Sequence, residues 1–214
     1  MQPAGDDEAY EVSLGFSLTY YTQNYTTVQV DINGYLVFET GTLPSGSTRI
    51  GNTNFGDLIS AYNNDLATSN CGSLTTRSIN DSVTLNSIGA EINSLLAPIT
   101  PFTPKNAFVA TWFEVCAYNQ SVVGTVTFQI LISTDGQRTF LTLNYGILDY
   151  AAFDYNIFYQ YLDSGAYYVG NSLPPSPQLS SNVNVNGKWI YSLSNSNYFM
   201  KNFFLMRNKI CDLI

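Results

Sequence analysis

The sequence contains no histidine, and this absence excludes more chemistry than any other feature of its composition. Without histidine the chain cannot build a Ser-His-Asp or Cys-His triad, a His-ligated zinc site or a histidine general base. Charged residues are also scarce, at 11% of the 214 residues against roughly 25% in ordinary globular domains. The 8 lysines and arginines form no cluster before Lys201 and the net charge is −8, which argues against a nucleic-acid partner.

Cysteine is sparse as well. The three cysteines are Cys71, Cys116 and Cys211, and no two of them have the CxxC spacing of a structural zinc site. An odd number of cysteines permits one disulfide and one free thiol.

Neither terminus carries a membrane or export signal. Residues 1–8 lack the apolar segment of a signal peptide, so either the chain is intracellular or its start is missing from this sequence. Residues 198–214 are apolar, but they are too few for a membrane span and are interrupted by Lys201, Arg207 and Lys209. The sequence therefore predicts no transmembrane segment.

The most regular stretch of the chain is an alternating pattern between Asn106 and Tyr145. Apolar and polar residues alternate along 124–132, as in a strand with one buried face, and β-branched and aromatic residues suit that surface. Asp135-Gly136 provides turn chemistry before the next run. We predict three consecutive antiparallel strands, of which the first, with Val109, Phe113 and Val115 on its second face, is covered on both sides.

Similar runs occur along most of the sequence, and one segment departs from them. Apolar residues between Val83 and Leu96 recur at helical spacing, Asn86 or Ser87 can cap the start, and Pro98 ends the run. We therefore predict a mainly β, single-domain antiparallel β-sandwich-like fold with one amphipathic helix at about 85–97. Residues 1–8 are expected to fray.

Several segments together resemble the nidogen-like extracellular domain, NIDO, which occurs in nidogen, alpha-tectorin and membrane mucins. The resemblance covers residues 5–194, and its order and spacing of blocks make it specific. The blocks are VQVDINGYLVF, LISAYNNDL, GSLTTR, AFVATWFEV, TFQILISTDGQRTFLTLNYGIL and SNVNVNGKWIYSL.

This resemblance implies a non-enzymatic extracellular module for cell–matrix adhesion, without cofactor or metal. The implied partners are extracellular matrix proteins or neighbouring extracellular modules. A carbohydrate-binding, lectin-like domain is the alternative, since tyrosines between Tyr150 and Tyr168 could stack on sugar rings; core packing is the simpler interpretation of those tyrosines, and of Trp112 and Trp189.

The sequence departs from the family pattern at several places. Cys71 and Cys116 are atypical at their positions, and we interpret them as a disulfide, with two buried thiols as the alternative. Residues 195–214 do not match the family. They represent either a truncated or mis-spliced gene model or an apolar terminal helix that docks on the sandwich.

Other candidate sites are ordinary by sequence. Three sequons predict N-glycosylation at Asn24, Asn80 and Asn119 if the chain is secreted. The acidic residues do not have the spacing of an EF-hand or another known calcium-binding motif, and Ala67 replaces the second acid of the family pattern. We therefore interpret these acids as solvated loop carboxylates rather than calcium ligands. Glycosidase-like carboxylate pairs are likewise disfavoured. The acids considered were Asp57, Asp65 and Asp81 for calcium, and Glu114 with Asp135 or Asp149 for the pair.

Overall fold

The computed structural model describes most of the chain. The described residues are 1–21, 23–38, 57–62, 64–98, 100–119, 121, 123–150, 159–163, 166–169, 174 and 176–193. Residues 39–56, most of the segment between Tyr150 and Tyr168, and the tail at 195–214 lie outside them.

Within these ranges the chain forms twelve strands and one α-helix. In chain order they are β1 (Ala9–Tyr20), β2 (Gln23–Asp31), β3 (Tyr35–Val37), β4 (Leu58–Ser60), β5 (Leu66–Ala67), β6 (Ser73–Ile79), α1 (Ser82–Leu96), β7 (Asn106–Ala117), β8 (Val126–Thr134), β9 (Thr139–Leu148), β10 (Tyr159–Asp163), β11 (Ala166–Val169) and β12 (Lys188–Ser192).

The strands form two six-stranded antiparallel sheets, as the sequence predicts. The first sheet has the order β1-β2-β3-β4-β10-β11. The second has the order β12-β9-β8-β7, and both β5 and β6 pair with the far side of β7. The predicted meander of three strands is β7, β8 and β9, with the Asp135-Gly136 turn between the last two.

The two sheets pack face to face around one large apolar core. Trp112 is fully buried there, stacks on Phe128 with ring centroids 4.8 Å apart, and donates from Nε1 to the Ile32 carbonyl at 2.9 Å. A second bond between the sheets runs from the Tyr145 hydroxyl to the Ala61 carbonyl at 2.7 Å. These polar contacts fix the sheets in one register, because each buried donor needs a specific acceptor.

The helix covers part of the outer face of the second sheet. Leu85, Ile88 and Ile92 pack there with Leu131 and Phe140 in a second apolar cluster. The helix begins at Ser82, earlier than the predicted start near residue 85, because Asp81 is the cap: its side chain accepts from the Thr84 amide at 2.8 Å. The first three helical residues, 82–84, include no buried residue and so precede the buried apolar positions from which the helix was predicted.

The amino-terminal segment is bonded into the sandwich, contrary to the expectation that residues 1–8 fray. The Gln2 amide donates to the Leu74 carbonyl at 2.8 Å, the Gly5 amide donates to Thr68 Oγ1 at 3.0 Å, and the Glu8 carbonyl accepts from the Ile32 amide at 3.1 Å. The segment therefore contacts both sheets. These bonds are long-range, which a local pattern does not reveal.

Side chains close the outer edge of β12. Asn182 donates from Nδ2 to the Ile190 carbonyl at 2.8 Å and accepts from the Ile190 amide at Oδ1 at 2.9 Å. The Ser181 hydroxyl donates to the Lys188 carbonyl at 2.8 Å. These bonds satisfy backbone groups that an exposed edge strand would otherwise present to another chain.

Candidate interaction surface

A β-bulge in β7 changes the direction of the side chains near the end of that strand. The register with β8 shifts between Trp112 and Val115, and Glu114 has a φ of 51°. The extra residue turns Val115 into the core between the sheets and leaves Phe113 on the outside. The prediction that Val115 shares the outer face with Val109 is therefore wrong.

The outer face of the second sheet has a covered half and an open half. A polar row lies at the border, where Gln129 Nε2 donates to Thr111 Oγ1 at 2.9 Å and Asn144 Nδ2 donates to Gln129 Oε1 at 3.0 Å. On the helix side of this row, Lys188 forms an ion pair with Glu91 of α1 at 2.7 Å. We call the part beyond the row, at Phe113, Thr127, Gly146 and Ile147, the open face.

Two large apolar side chains stand out on the open face. Phe113 is 51% exposed and Ile147 is 57% exposed. Gly146 precedes Ile147 in β9 and has no side chain to cover the backbone there. A Cβ added at Gly146 would come no closer than 3.4 Å to any neighbouring atom, the nearest being atoms of Thr127. An exposed aromatic and an exposed β-branched residue on a rigid sheet are a favourable contact surface for a protein partner.

The disulfide lies at the same end of the second sheet as the bulge. Cys71 and Cys116 are joined with their Cα atoms 5.4 Å apart, and they close a loop with a sequence separation of 45. Gly72, next to Cys71, has a φ of 77°, and a Cβ there would collide with the backbone of Glu114. The disulfide thus holds the turn before β6 against the bulged part of β7.

An acidic cluster occupies this disulfide end. Ligand oxygens of Asp6, Asp7 and Asp65 lie within 4.8 Å of one another. Burial, together with the charges of Asp7, Asp65 and Glu8, raises the pKa of Asp6 to about 6, and burial together with Asp7 raises the pKa of Asp65. Three such carboxylates offer the hard oxygen ligands that divalent cations prefer. On their own they repel one another, which destabilises the folded state at neutral pH.

Replacing Asp6 by asparagine is expected to stabilise the protein at pH 7.5 and to matter little at pH 4. Because the folded-state pKa of about 6 lies above the ordinary value of 3.8, the folded protein binds more protons here than the unfolded chain between these values. The free energy of unfolding therefore falls as pH rises through this window. Because solvent screens the half-buried carboxylate of Asp6, we expect the substitution to raise the free energy of unfolding by only about 1 kcal/mol.

Urea unfolding of wild type and Asp6→Asn at both pH values measures this effect. Glu11→Gln, which removes an exposed carboxylate from β1, is the matched control for the loss of one negative charge and should not reproduce the gain in stability at pH 7.5. An Asp6→Asn variant with the same pH dependence as wild type would contradict the prediction.

The acids considered from sequence as calcium ligands do not assemble. Asp57 is buried, unlike the expected solvated carboxylate, and accepts from the Tyr25 hydroxyl at 2.7 Å. Asp81 caps the helix and lies 3.7 Å from Arg77, while Asp65 joins the acidic cluster. Sequence reasoning missed Asp6 and Asp7 because residues 1–8 were expected to fray.

The carboxylate pairs considered from sequence have structural roles. Asp135 sits in the turn between β8 and β9, where Arg138 holds it at 2.7 Å, at the opposite end of the sheet from Glu114. Asp149 accepts from the Thr125 amide at 2.9 Å and so anchors the connection between β7 and β8. Glu114 is exposed at the bulge.

The aromatic and glycosylation candidates are dispersed. Tyr150 packs against the main core and donates to the Val115 carbonyl at 3.2 Å, and Trp189 packs partly into the same core. The remaining tyrosine side chains up to Tyr168 lie outside the described residues. The three sequon asparagines, Asn24, Asn80 and Asn119, are exposed.

Comparison with known proteins identifies the family of this chain. No curated protein and no solved structure matches the chain. Among the described residues, no helix has the length and apolarity needed to cross a membrane. The family model of the nidogen-like domain, NIDO, matches residues 26–195, which is most of the sequence. The chain belongs to the NIDO family of nidogen-like domains.

Proposed function

We propose that this protein is a non-enzymatic extracellular adhesion module that binds matrix proteins or neighbouring extracellular modules through the open face. NIDO domains are extracellular modules that are generally associated with matrix and are non-enzymatic. The observation that carries the proposal is the exposure of Phe113 and Ile147 on a rigid sheet. The helix covers the other half of the same face, so on this face the apolar exposure is confined to the open face.

The rigidity of the open face supports this role. Phe113 follows the buried anchor Trp112, and the Glu114 amide donates to Thr127 Oγ1 at 3.0 Å across the bulge. A preformed surface loses little conformational entropy when it binds, which favours recognition by contact. We assign the module to residues 5–194 because the backbone of Gly5 is bonded to Thr68.

Replacing Phe113 and Ile147 together by alanine is expected to weaken binding to a matrix protein by about tenfold or more. The two side chains are exposed, so their loss removes interface burial worth about 1–2 kcal/mol each and leaves folding nearly unchanged. Biolayer interferometry against separately immobilised collagens and matrix glycoproteins measures the change.

The control is Val83→Ala with Leu179→Ala, which shortens two apolar side chains that are 80% and 68% exposed elsewhere on the surface. This control should bind like wild type. The proposal fails if no matrix protein binds, or if the double open-face variant binds as well as the control.

Neutral oligosaccharide binding is the second candidate function. The polar row of Thr111, Gln129 and Asn144 favours it, because these side chains carry no charge and present amide and hydroxyl groups beside an exposed aromatic ring. A glycan array separates the two functions. Specific binding of a neutral glycan that is lost in Asn144→Ala would favour the lectin-like function over protein adhesion.

A further inference from the structure

The three sequons differ in how their acceptor amides are held. Asn24 is part of regular strand β2, and its Oδ1 accepts from Thr19 Oγ1 at 2.8 Å across the hairpin. Asn80 immediately precedes the helix cap Asp81, and the sequon hydroxyl belongs to the first helical residue, Ser82. Asn24 therefore lies within a β-strand, and Asn80 lies directly before an α-helix.

Asn119 is held differently. It follows the end of β7, and its Oδ1 accepts from both the backbone amide and the hydroxyl of Ser121, at 3.0 Å and 2.8 Å. This is an Asx turn, in which the hydroxyl of the sequon contacts the carboxamide of its own acceptor. The Nδ2 group, which would receive a sugar, takes no part in either bond.

The neighbours of Asn119 are exposed and apolar. Tyr118 is 54% exposed and Val123 is 88% exposed. The Tyr118 amide donates to the Asp65 carbonyl at 2.8 Å, and Asn70 Nδ2 donates to the Tyr118 carbonyl at 3.1 Å. The backbone at Tyr118 is therefore held on both sides, while its side chain is exposed to solvent.

We propose that Asn119 carries an N-linked glycan that covers Tyr118 and Val123. A glycan is bulky and hydrophilic, so it would shield apolar side chains that otherwise promote self-association. The inference rests on the proposed extracellular function, because the modification occurs in the secretory pathway. It extends that function by naming the sequon that is modified and the role of the glycan at that position.

The modification is a group transfer. Asn119 Nδ2 attacks the anomeric carbon of an oligosaccharide linked to a polyprenol diphosphate. A nitrogen–carbon bond forms, the bond between the anomeric carbon and the diphosphate oxygen breaks, and the diphosphate leaves with the bonding electrons. One Nδ2 proton passes to a base of the transferase, so no oxidant or reductant is needed.

The test uses the full chain secreted from eukaryotic cells behind a cleavable signal. Peptide mass spectrometry before and after peptide:N-glycosidase treatment locates the glycan. We expect Asn119 to be modified in wild type. Asn119→Gln and Ser121→Ala should each abolish modification of this site, whereas Asn24→Gln and Asn80→Gln should leave it intact.

A second readout tests the shielding. Asn119→Gln should bind the apolar dye ANS more strongly than glycosylated wild type, and adding Tyr118→Ser with Val123→Ser should reverse that increase. Unmodified Asn119 in the secreted, folded protein would overturn the inference. So would dye binding that is the same with and without the glycan. The matrix-binding test of the open face can be repeated on enzymatically deglycosylated protein. Its outcome therefore does not depend on whether Asn119 carries a glycan.

Discussion

Replacing Trp112 by alanine is expected to lower the free energy of unfolding by about 4 kcal/mol. The indole is completely buried, it stacks on Phe128, and its Nε1 bonds the Ile32 carbonyl in the opposite sheet. Alanine leaves a cavity and a buried carbonyl without its donor, and both raise the energy of the folded state. Since domains of this size are stable by about 5–15 kcal/mol, much of that stability would be lost.

Equilibrium urea unfolding followed by circular dichroism measures this loss. Trp112→Phe keeps most of the ring packing and removes the hydrogen bond, so we expect an intermediate loss of about 1–2 kcal/mol. Trp189→Ala is the matched control, because Trp189 is only partly buried against the same core. If Trp112→Ala unfolds at the same urea concentration as Trp189→Ala, Trp112 is not the residue that joins the sheets.

Removing the Cys71–Cys116 disulfide is expected to cost about 4 kcal/mol in the chain-entropy model for a loop of this length. The reason is that the bond restricts the unfolded chain, which loses that restriction when both sulfurs are removed. Cys71→Ser with Cys116→Ser should therefore unfold at a clearly lower temperature than wild type.

Non-reducing peptide mass spectrometry provides the direct observation. A linked peptide pair containing Cys71 and Cys116 is expected, and alkylation before reduction should label neither. Reduction of a Cys211→Ser variant should reproduce the instability of the double serine variant. Two alkylated thiols at Cys71 and Cys116 in natively secreted protein would refute the pairing.

The second sheet could be predicted from sequence because its signal is local. Strict alternation along β8 and the Asp135-Gly136 turn determine which residues face inward without reference to any distant contact. The helix start was predicted too late for a related reason. Its first three residues, 82–84, include no buried side chain, so the sign of the true start is Asp81, a capping residue that precedes the buried apolar positions.

The features that build the open face could not be predicted from the sequence in the same way. The bulge places a non-glycine residue, Glu114, at positive φ, and no residue type in that stretch indicates this conformation. Phe113 is therefore predicted from sequence to lie on a covered face, and that prediction is wrong because Phe113 is 51% exposed. The acidic cluster depends on contacts between Asp65 and a segment nearly sixty positions earlier in the chain, which no periodicity records.

Asn182 has a consequence for how copies of the protein behave when crowded. Its carboxamide occupies the position that another strand would take beside Ile190, so this margin of the sandwich cannot act as a template for ribbon or fibril growth. Ageing by hydrolysis of that amide to a carboxylate would place negative charge against a carbonyl oxygen. The chemical lifetime of one asparagine thus contributes to how long this edge of the sheet stays closed to strand addition.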